Sequence, residues 1–245
     1  MDNAIYVGLS RQMVLRKEMD IIANNIANMD TTGFKVESMI QKTDPQQPAY
    51  TFGGPRPVKF VTPDGVARDF GQGSLVKTDN ALDMAIEGKG FFQVRGASGA
   101  VFTRDGRFTV DTNGRLVTQK GETVLDDAGG EIQIDPEKGL VAVGADGTLS
   151  QGDERIGKIG MYAFANPGVL EKAGDNQYRN TSNQQPAVAT EAKVRQGYVE
   201  SSNVKPVIEI TRMVEVSRSY ERTAKMIDSE AELSRRSVER LGKLQ

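Results

Sequence analysis

The sequence predicts an α+β protein, with long helices at both ends that pair as a coiled-coil-like helical domain and a central all-β domain of hairpins. Two observations predict this class. Apolar residues near each end recur in alternating steps of four and three positions, which places one narrow apolar stripe on a helix. Between the ends, short apolar runs alternate with Gly, Asp and Asn, which is typical of antiparallel hairpins.

The first segment, about residues 3–30 within a predicted domain 1–33, has the spacing of a helix. Its stripe consists of Leu15, Met19, Ile22, Ile26 and Met29. A glycine suits the left-handed residue that closes a helix, so the helix is expected to end near Gly33. The Pro-, Gly- and Gln-rich segment 34–73 predicts an extended connector with one strand at 58–62.

The β-rich domain is predicted over residues 74–200. Asp-Gly and Asn-Gly pairs at 105–106 and 113–114 are strong hairpin signals, because these residues adopt positive φ at little cost. The polar segment 166–190 predicts a long loop. The predicted strands are 83–87, 91–95, 101–104, 107–111, 115–118, 131–135, 140–143, 156–164 and 192–200.

The C-terminal domain, residues 201–245, predicts a helix over 206–244, about 58 Å long at 1.5 Å per residue. Pro206 suits the first helical turn, and Ser201, Ser202 and Asn203 are N-cap candidates. The stripe consists of Met213, Ser217, Tyr220, Ala224, Ile227, Ala231, Ser234, Val238 and Leu241.

The stripes predict an interface among several helices rather than packing on the chain's own β domain. Small residues such as Ala224 and Ala231 allow close approach but bury little apolar area, so one neighbour would hold such a helix weakly. Asn24, Asn25 and Asn28 are expected to fix helix register through hydrogen bonds. The predicted assembly residues are Leu15, Met19, Ile22, Asn25, Ile26, Asn28, Met29, Met213, Tyr220, Ala224, Ile227, Ala231, Val238 and Leu241.

Composition argues against several classes of function. The chain has 31 basic and 33 acidic residues, a net charge of -2, so no nucleic-acid partner is expected. It has no Cys, which excludes disulfides, thiolate metal ligands and a cysteine nucleophile, and no His, which removes the commonest general base and metal ligand. These absences argue against an enzyme but leave Asp and Glu chemistry open, and no motif in the sequence predicts a catalytic, cofactor, metal or small-molecule site. Two alternatives stay open at this point: a carboxylate-based hydrolase on a β scaffold, and a soluble coiled-coil adaptor or export chaperone.

We find no recognisable targeting signal in the sequence. Its start lacks a basic region followed by an apolar run, so no cleaved signal peptide is expected. An apolar run long enough to span a membrane is also missing from the sequence. Taken alone, these features indicate the cytoplasm, although export without a cleavable signal leaves the same trace.

Several ordered strings resemble the flagellar axial proteins of the rod and hook. They are IANNIANMDTTGFK at 22–35, LDMAIEGKGFFQV at 82–94, FTRDGRF at 102–108 and GYVESSNV at 197–204. The resemblance implies paired terminal helices forming an inner tube, with a β-rich outer domain. It also implies export without a cleaved signal through the flagellar type III apparatus, followed by assembly in the periplasm.

The resemblance implies a structural subunit of the basal-body rod, which polymerises through its terminal helices into a helical drive shaft that transmits torque. The expected partners are other copies of the chain, neighbouring proximal and distal rod proteins, and the export apparatus. The opening residues and the length favour a proximal rod subunit, with a distal rod subunit as the alternative. The terminal helices are expected to be poorly ordered before assembly, because their stripes then lack partners.

Overall fold

The computed structural model describes residues 2–51, 54–96, 99–174, 176–182 and 184–242. They divide into two compact units. Unit 1 comprises Met1–Ala27, Glu37–Arg68 and Lys205–Gln245, and unit 2 comprises Asn28–Val36 and Asp69–Val204. Helices and strands are both present, so the predicted α+β class is confirmed at this level.

Unit 1 contains two helices and a β-hairpin: α1 (Asp2–Ala27), β1 (Glu37–Thr51), β2 (Gly54–Arg68) and α2 (Pro206–Gly242). The helices run antiparallel. Asn25, near the end of α1, bonds Glu209, near the start of α2. Towards the other end, a Cβ added to Gly8 would lie 2.9 Å from Cγ1 of Ile227.

An apolar seam joins α1 to α2. Leu15, Ile22 and Val216 are its buried members. Met19, Ile26, Met213 and Tyr220 are partly buried against them. The helices are therefore held by the side chains that the alternating steps of four and three place on one face.

Residues 37–68 differ from the prediction of an extended connector with a single strand at 58–62. β1 and β2 pair antiparallel from Glu37 and Arg68 to Thr51 and Gly54. In a two-stranded ribbon each strand keeps one open edge, where the missing N–H of a proline breaks no ladder bond. A proline-rich sequence is therefore compatible with strands here, and shifts in register near residues 40 and 44 accommodate the irregular sequence.

Unit 2 is built from short strands, and its strand pairs are antiparallel. Short 3-10 helices span Pro136–Lys138 and Pro167–Val169. The strands are β3 (Leu75–Lys77), β4 (Met84–Glu87), β5 (Phe91–Gly96), β6 (Gly99–Thr103), β7 (Phe108–Val110), β8 (Leu116–Thr118), β9 (Val141–Val143), β10 (Thr148–Gln151), β11 (Glu154–Lys158), β12 (Met161–Ala163), β13 (Leu170–Gly174), β14 (Gln177–Asn180), β15 (Ala187–Val188), β16 (Lys193–Gln196) and β17 (Tyr198–Glu200).

The largest sheet of unit 2 has the order β13-β14-β6-β5-β12-β15. β11-β10-β9 form a second sheet, and β16-β4, β17-β3 and β7-β8 are two-stranded. The main apolar core gathers side chains such as Met84, Phe92, Leu116 and Leu149. Hairpins thus dominate this unit, as the turn signals predicted.

Several predicted boundaries in unit 2 are wrong. The predicted loop 166–190 contains β13, β14 and β15, because Leu170 and Tyr178 are buried in an aromatic cluster that fixes this polar segment. The predicted strand 156–164 is divided between two strands: β11 ends before residue 159, and β12 begins after residue 160. The predicted strand 192–200 breaks at Gly197, whose φ is 73°. Residues 131–135 make only isolated bridges.

The end of α1 also differs from the prediction. The helix ends at Ala27 rather than near Gly33. Gly33 has φ 70°, and an added Cβ would lie 2.5 Å from the backbone nitrogen of Asp105, so close approach within unit 2 requires a glycine there. Asn203 does not cap α2. Its side chain accepts from the N–H of Val36 and donates to the carbonyl of Asp69.

A buried carboxylate ties together distant parts of unit 2. Glu200 pairs with Lys35 and, at 2.8 Å, with Arg104, and it accepts a third bond from the N–H of Gly73. All three charged side chains are almost fully buried. Burial lowers the pKa of Lys35 below its ordinary value, and the Glu200 carboxylate opposes that shift. Because its members are far apart in the sequence, this cluster connects distant parts of unit 2.

Within the described part of the chain, neither helix is long and apolar enough to cross a membrane.

Replacing Glu200→Ala is expected to lower the free energy of unfolding of unit 2 by about 3–5 kcal/mol, since two buried cations lose their counter-charge. Urea unfolding followed by amide hydrogen exchange in β5 and β6 measures the loss. The matched control is Glu87→Ala, which removes the exposed partner of Arg195 and should change little. Equal losses in the two variants would contradict the role assigned to Glu200.

Candidate functional site

The residues predicted to mediate assembly fall mainly on α1 and α2 of unit 1. Leu15, Ile22 and Asn25 are buried. Met29 is exposed in unit 2, and the side chains of Val238 and Leu241 lie outside the described part of the structure. The remaining predicted residues are partly buried: Met19, Ile26, Asn28, Met213, Tyr220, Ala224, Ile227 and Ala231.

The inward seam of unit 1 accounts for six of these residues. Leu15, Met19, Ile22 and Ile26 meet Met213 and Tyr220 within one chain. These side chains already have an apolar neighbour in the same molecule. Leu15 and Ile22 are therefore not accessible to a second molecule, and the contact between copies remains a prediction.

Asn25 locks the register of the helix pair. It is fully buried, and its Nδ2 donates to the carbonyl of Glu37 at 2.8 Å and to Oε2 of Glu209 at 2.9 Å. Its Oδ1 accepts from the N–H of Glu37 at 2.9 Å. One side chain thus connects α1, β1 and α2, which is the kind of bonding predicted for this asparagine.

The other two asparagines have different partners. Asn24 donates to the Glu37 carboxylate at 3.2 Å, within unit 1. Asn28 belongs to unit 2, where its side chain accepts from the hydroxyl of Thr31 in the turn that follows α1. Asn28 therefore organises a turn rather than the helix pair.

Sequence reasoning missed the two carboxylates that surround Asn25. Glu37 is buried and accepts from Nε of Arg68 at 2.9 Å. Glu209 is buried and lies 3.5 Å from Arg212. In the sequence, these two glutamates look no different from glutamates that face solvent. Their role as partners of Asn25 becomes visible only when elements distant along the chain bury them.

The outward faces of the helices carry exposed apolar side chains that sequence reasoning also missed. Outer patch 1 is formed by Tyr6, Leu9 and Met13 of α1, and outer patch 2 by Val207, Ile210 and Val214 of α2. Their side chains are 44% to 77% exposed. Both sets have the spacing i, i+3, i+7, which puts three side chains on one face of a helix.

The two outer patches face away from the seam. At 100° per residue, patch 1 lies on the side of α1 opposite Leu15 and Ile22, and patch 2 lies well away from Val216 on α2. Beyond Val214 the outward face of α2 becomes charged. Each patch is therefore a bounded apolar surface.

The outer patches offer exposed apolar surface for binding. In the regions that the structure describes, no group of three or more acidic side chains is placed to hold a metal ion. Contiguous exposed apolar patches mark surfaces that bind other molecules.

Three family models match the chain. "Flagella basal body rod protein" matches residues 5–35, "Flagellar hook protein FlgE/F/G D1 domain" matches 85–151, and "Flagellar basal body rod FlgEFG protein C-terminal" matches 195–240. The first and third matches cover much of α1 and α2, and the second covers a large part of unit 2.

Curated relatives match along the whole chain. Flagellar basal-body rod protein FlgF of Caulobacter vibrioides is 56% identical over 244 residues, covering 100% of both chains. FlgF of Mesorhizobium japonicum is 36% identical, covering 99% of each. Flagellar basal-body rod protein FlgG of Buchnera aphidicola subsp. Schizaphis graminum is 33% identical, covering 91% of this chain and 92% of its own.

Replacing Asn25→Asp is expected to destabilise the helix pair by about 3 kcal/mol at neutral pH, because the donor to Glu209 becomes a second carboxylate. The new carboxyl has a pKa raised by burial and by Glu209. A carboxyl group whose pKa is raised in the folded state favours folding at low pH, and this contribution is lost as the pH rises through the raised pKa. The deficit should therefore shrink as the pH falls from about 7 towards 4.

Urea unfolding followed by the helical circular dichroism band measures this effect, since α1 and α2 both belong to unit 1. The control is Asn113→Asp, in an exposed turn. This variant should show neither the loss of stability at neutral pH nor its dependence on pH. Wild-type stability at neutral pH for the Asn25 variant would refute the role of the asparagine as a lock.

Proposed function

Because this chain belongs to the flagellar basal-body rod proteins, and is a structural subunit of the rod rather than an enzyme, we propose that it polymerises through its terminal helices. The product is a helical drive shaft that transmits torque. Full-length similarity to FlgF supports placing the subunit in the proximal rod.

The observation that carries this proposal is the pair of outer patches on α1 and α2. Full burial of an apolar side chain of this size contributes about 1.5–3 kcal/mol. Side chains such as Met13 and Val207, which are 66% and 77% exposed, leave most of that free energy unrealised in a single chain. Contact with another helical surface would realise it.

A shaft under torque needs subunits that neither deform nor slide. The Asn25 lock holds α1 and α2 in one register, so that the pair behaves as one stiff element. α1 alone, with 26 residues, is about 39 Å long. Side-by-side contact between such elements spreads a twisting load over many copies, and head-to-tail contacts that do not close produce a helical array.

The proposed partners are other copies of this chain, the adjoining proximal rod proteins and the distal rod protein FlgG. The family supports assembly with other rod proteins. We further propose that the chain reaches the periplasm through the flagellar type III export apparatus, without a cleaved signal peptide. Both points follow from its relationship to rod proteins.

Two alternatives fit less well. A distal rod subunit would be expected to match FlgG at least as well as FlgF, yet the FlgG of Buchnera aphidicola reaches only 33% identity against 56% for the FlgF of Caulobacter vibrioides. A soluble coiled-coil adaptor or export chaperone would account for α1 and α2 but would not explain the hairpin-rich unit 2.

The triple variant Tyr6→Gln, Leu9→Gln and Met13→Gln tests the proposal. It removes outer patch 1 but leaves the inward seam and keeps good helix formers. We expect unchanged helical content in the isolated chain and about tenfold less chain in purified basal bodies. The variant is expressed as the sole copy of the chain in a flagellated strain. The amount of chain in the purified basal bodies is then measured by immunoblot.

Leu140→Gln provides the control, because Leu140 is 84% exposed but lies in unit 2. This variant should enter basal bodies at the wild-type level. Normal incorporation of the triple variant would overturn assembly through the outward faces of the helices.

A further inference from the structure

We propose that a cavity in unit 2, the Phe91 cavity, binds a small apolar carboxylate, a molecule with an aromatic or aliphatic body and one carboxylate group. The cavity has a volume of about 440 Å³ and is lined by residues 69–72, 88–91 and 163–165, with Arg104 and Pro167. Pockets for small ligands usually have volumes of about 300–1,000 Å³. This site is separate from the assembly surfaces on the helices of unit 1.

Aromatic rings form one wall of the cavity. Phe91 is buried and packs edge-to-face against Phe70 and Phe164, with ring centroids 5.4 Å and 6.1 Å apart. Ala163 and Pro167 add further apolar surface. Because the rings hold one another in place, an apolar ligand can contact this wall without first ordering loose side chains.

A buried cation lies against the same wall. Arg104 is 4% exposed, and its Cζ lies 5.3 Å from the centroid of the Phe91 ring. Two of its nitrogens donate to the Glu200 carboxylate and to the carbonyl of Gly88. Its third nitrogen, Nε, is buried and has no hydrogen-bond partner among the described residues. Buried donors in folded proteins are nearly always paired, so this nitrogen favours an acceptor from a bound molecule.

The charge behind Arg104 favours an anion as that molecule. Lys35 and Arg104 share a single carboxylate, that of Glu200. Two cations with one carboxylate leave an excess of positive charge in the buried cluster. Buried charges are screened by solvent much less than exposed ones, so this excess acts on a ligand in the cavity.

The mouth of the cavity carries charges of both signs. Lys89 is exposed and forms no ion pair among the residues that the structure describes, and Asp69 is exposed and accepts from the N–H of Gly71. These opposite charges largely cancel at the surface. Selection for an anion therefore depends on Arg104 inside, and selection for an apolar body depends on the rings.

The arrangement also sets the orientation of the ligand. A carboxylate gains most beside the guanidinium of Arg104, because hydrogen bonds between two charged groups are stronger than those between neutral groups. The apolar body then lies along the rings of Phe70, Phe91 and Phe164. A cation would be repelled by Arg104, and a polar ligand without an apolar body would leave the aromatic wall uncovered.

Methyl NMR of the purified full chain tests the assignment. Ala163 and Ala165 both line the cavity, so their labelled methyl signals should shift when phenylbutyrate is added. Phenylbutanol is the matched probe, since it has the same apolar body with a hydroxyl in place of the carboxylate. We expect phenylbutyrate to bind at least about tenfold more tightly than phenylbutanol.

Two variants locate the site. Ala165 is exposed, so Ala165→Phe fills the cavity from its open side and should weaken phenylbutyrate binding at least about tenfold. Lys89→Glu adds a negative charge at the mouth and should weaken binding of phenylbutyrate about threefold without affecting phenylbutanol. The charge-matched control is Arg155→Glu, at an exposed residue that lines a different cavity. This variant should leave both affinities unchanged.

Four results would overturn the inference. They are no methyl shifts at phenylbutyrate concentrations up to about 10 mM, equal affinity for the two probes, unchanged affinity in folded Ala165→Phe, and at least about tenfold tighter binding of the dipeptide N-acetyl-Phe-Glu-amide. The last result would assign the cavity to a partner polypeptide. Methyl signals outside the cavity show whether each variant is folded, and if Ala165→Phe does not fold, Lys89→Glu decides.

These results are independent of the proposed function. Incorporation of the chain into basal bodies tests assembly, whereas the probes test a property of unit 2 in a single chain. Loss of phenylbutyrate binding with normal incorporation would overturn only the ligand site.

Discussion

The buried amide of Asn25 determines how unit 1 is put together. An apolar seam that repeats every three or four residues tolerates a shift of one helical turn, because equivalent apolar side chains then meet. The three hydrogen bonds of Asn25 do not tolerate it. A shift would break the bond between the buried Asn25 amide and the Glu209 carboxylate, and an unsatisfied buried polar group costs about 1–3 kcal/mol. The seam supplies cohesion, and the asparagine selects one register.

That register matters for the rod because the outward faces of the helices are positioned by it. Outer patches 1 and 2 belong to different helices, so their separation along the axis depends on how α1 and α2 are aligned. In the assembly that we propose, a bond within each copy would therefore set the geometry of the contact between copies. A subunit with a slipped helix pair would present the same apolar side chains at the wrong spacing.

Unit 2 also contains a buried polar group whose partners come from distant parts of the chain. Glu200 joins Lys35 and Arg104, which enter from distant parts of the chain. Breaking such a pair is costly because the remaining charges stay buried, so the cluster specifies one arrangement of the short strands around it. Short hairpins with turns every few residues have many near-equivalent pairings, and a buried ionic cluster discriminates among them.

The sequence by itself determined the α+β class, the two terminal helices and most hairpins, because these depend on local spacing and turn chemistry. It also pointed to Asn25 and to the family. It predicted only one short strand, 58–62, within 37–68 and a loop over 170–188, because these proline-rich or polar residues become strands only through pairing and through anchors such as Tyr178. Tertiary structure alone decided that Glu37, Glu209 and Glu200 are buried, and that Tyr6 and Val207 are not. Exposure depends on which surfaces meet in three dimensions, and no local pattern along the chain contains that information.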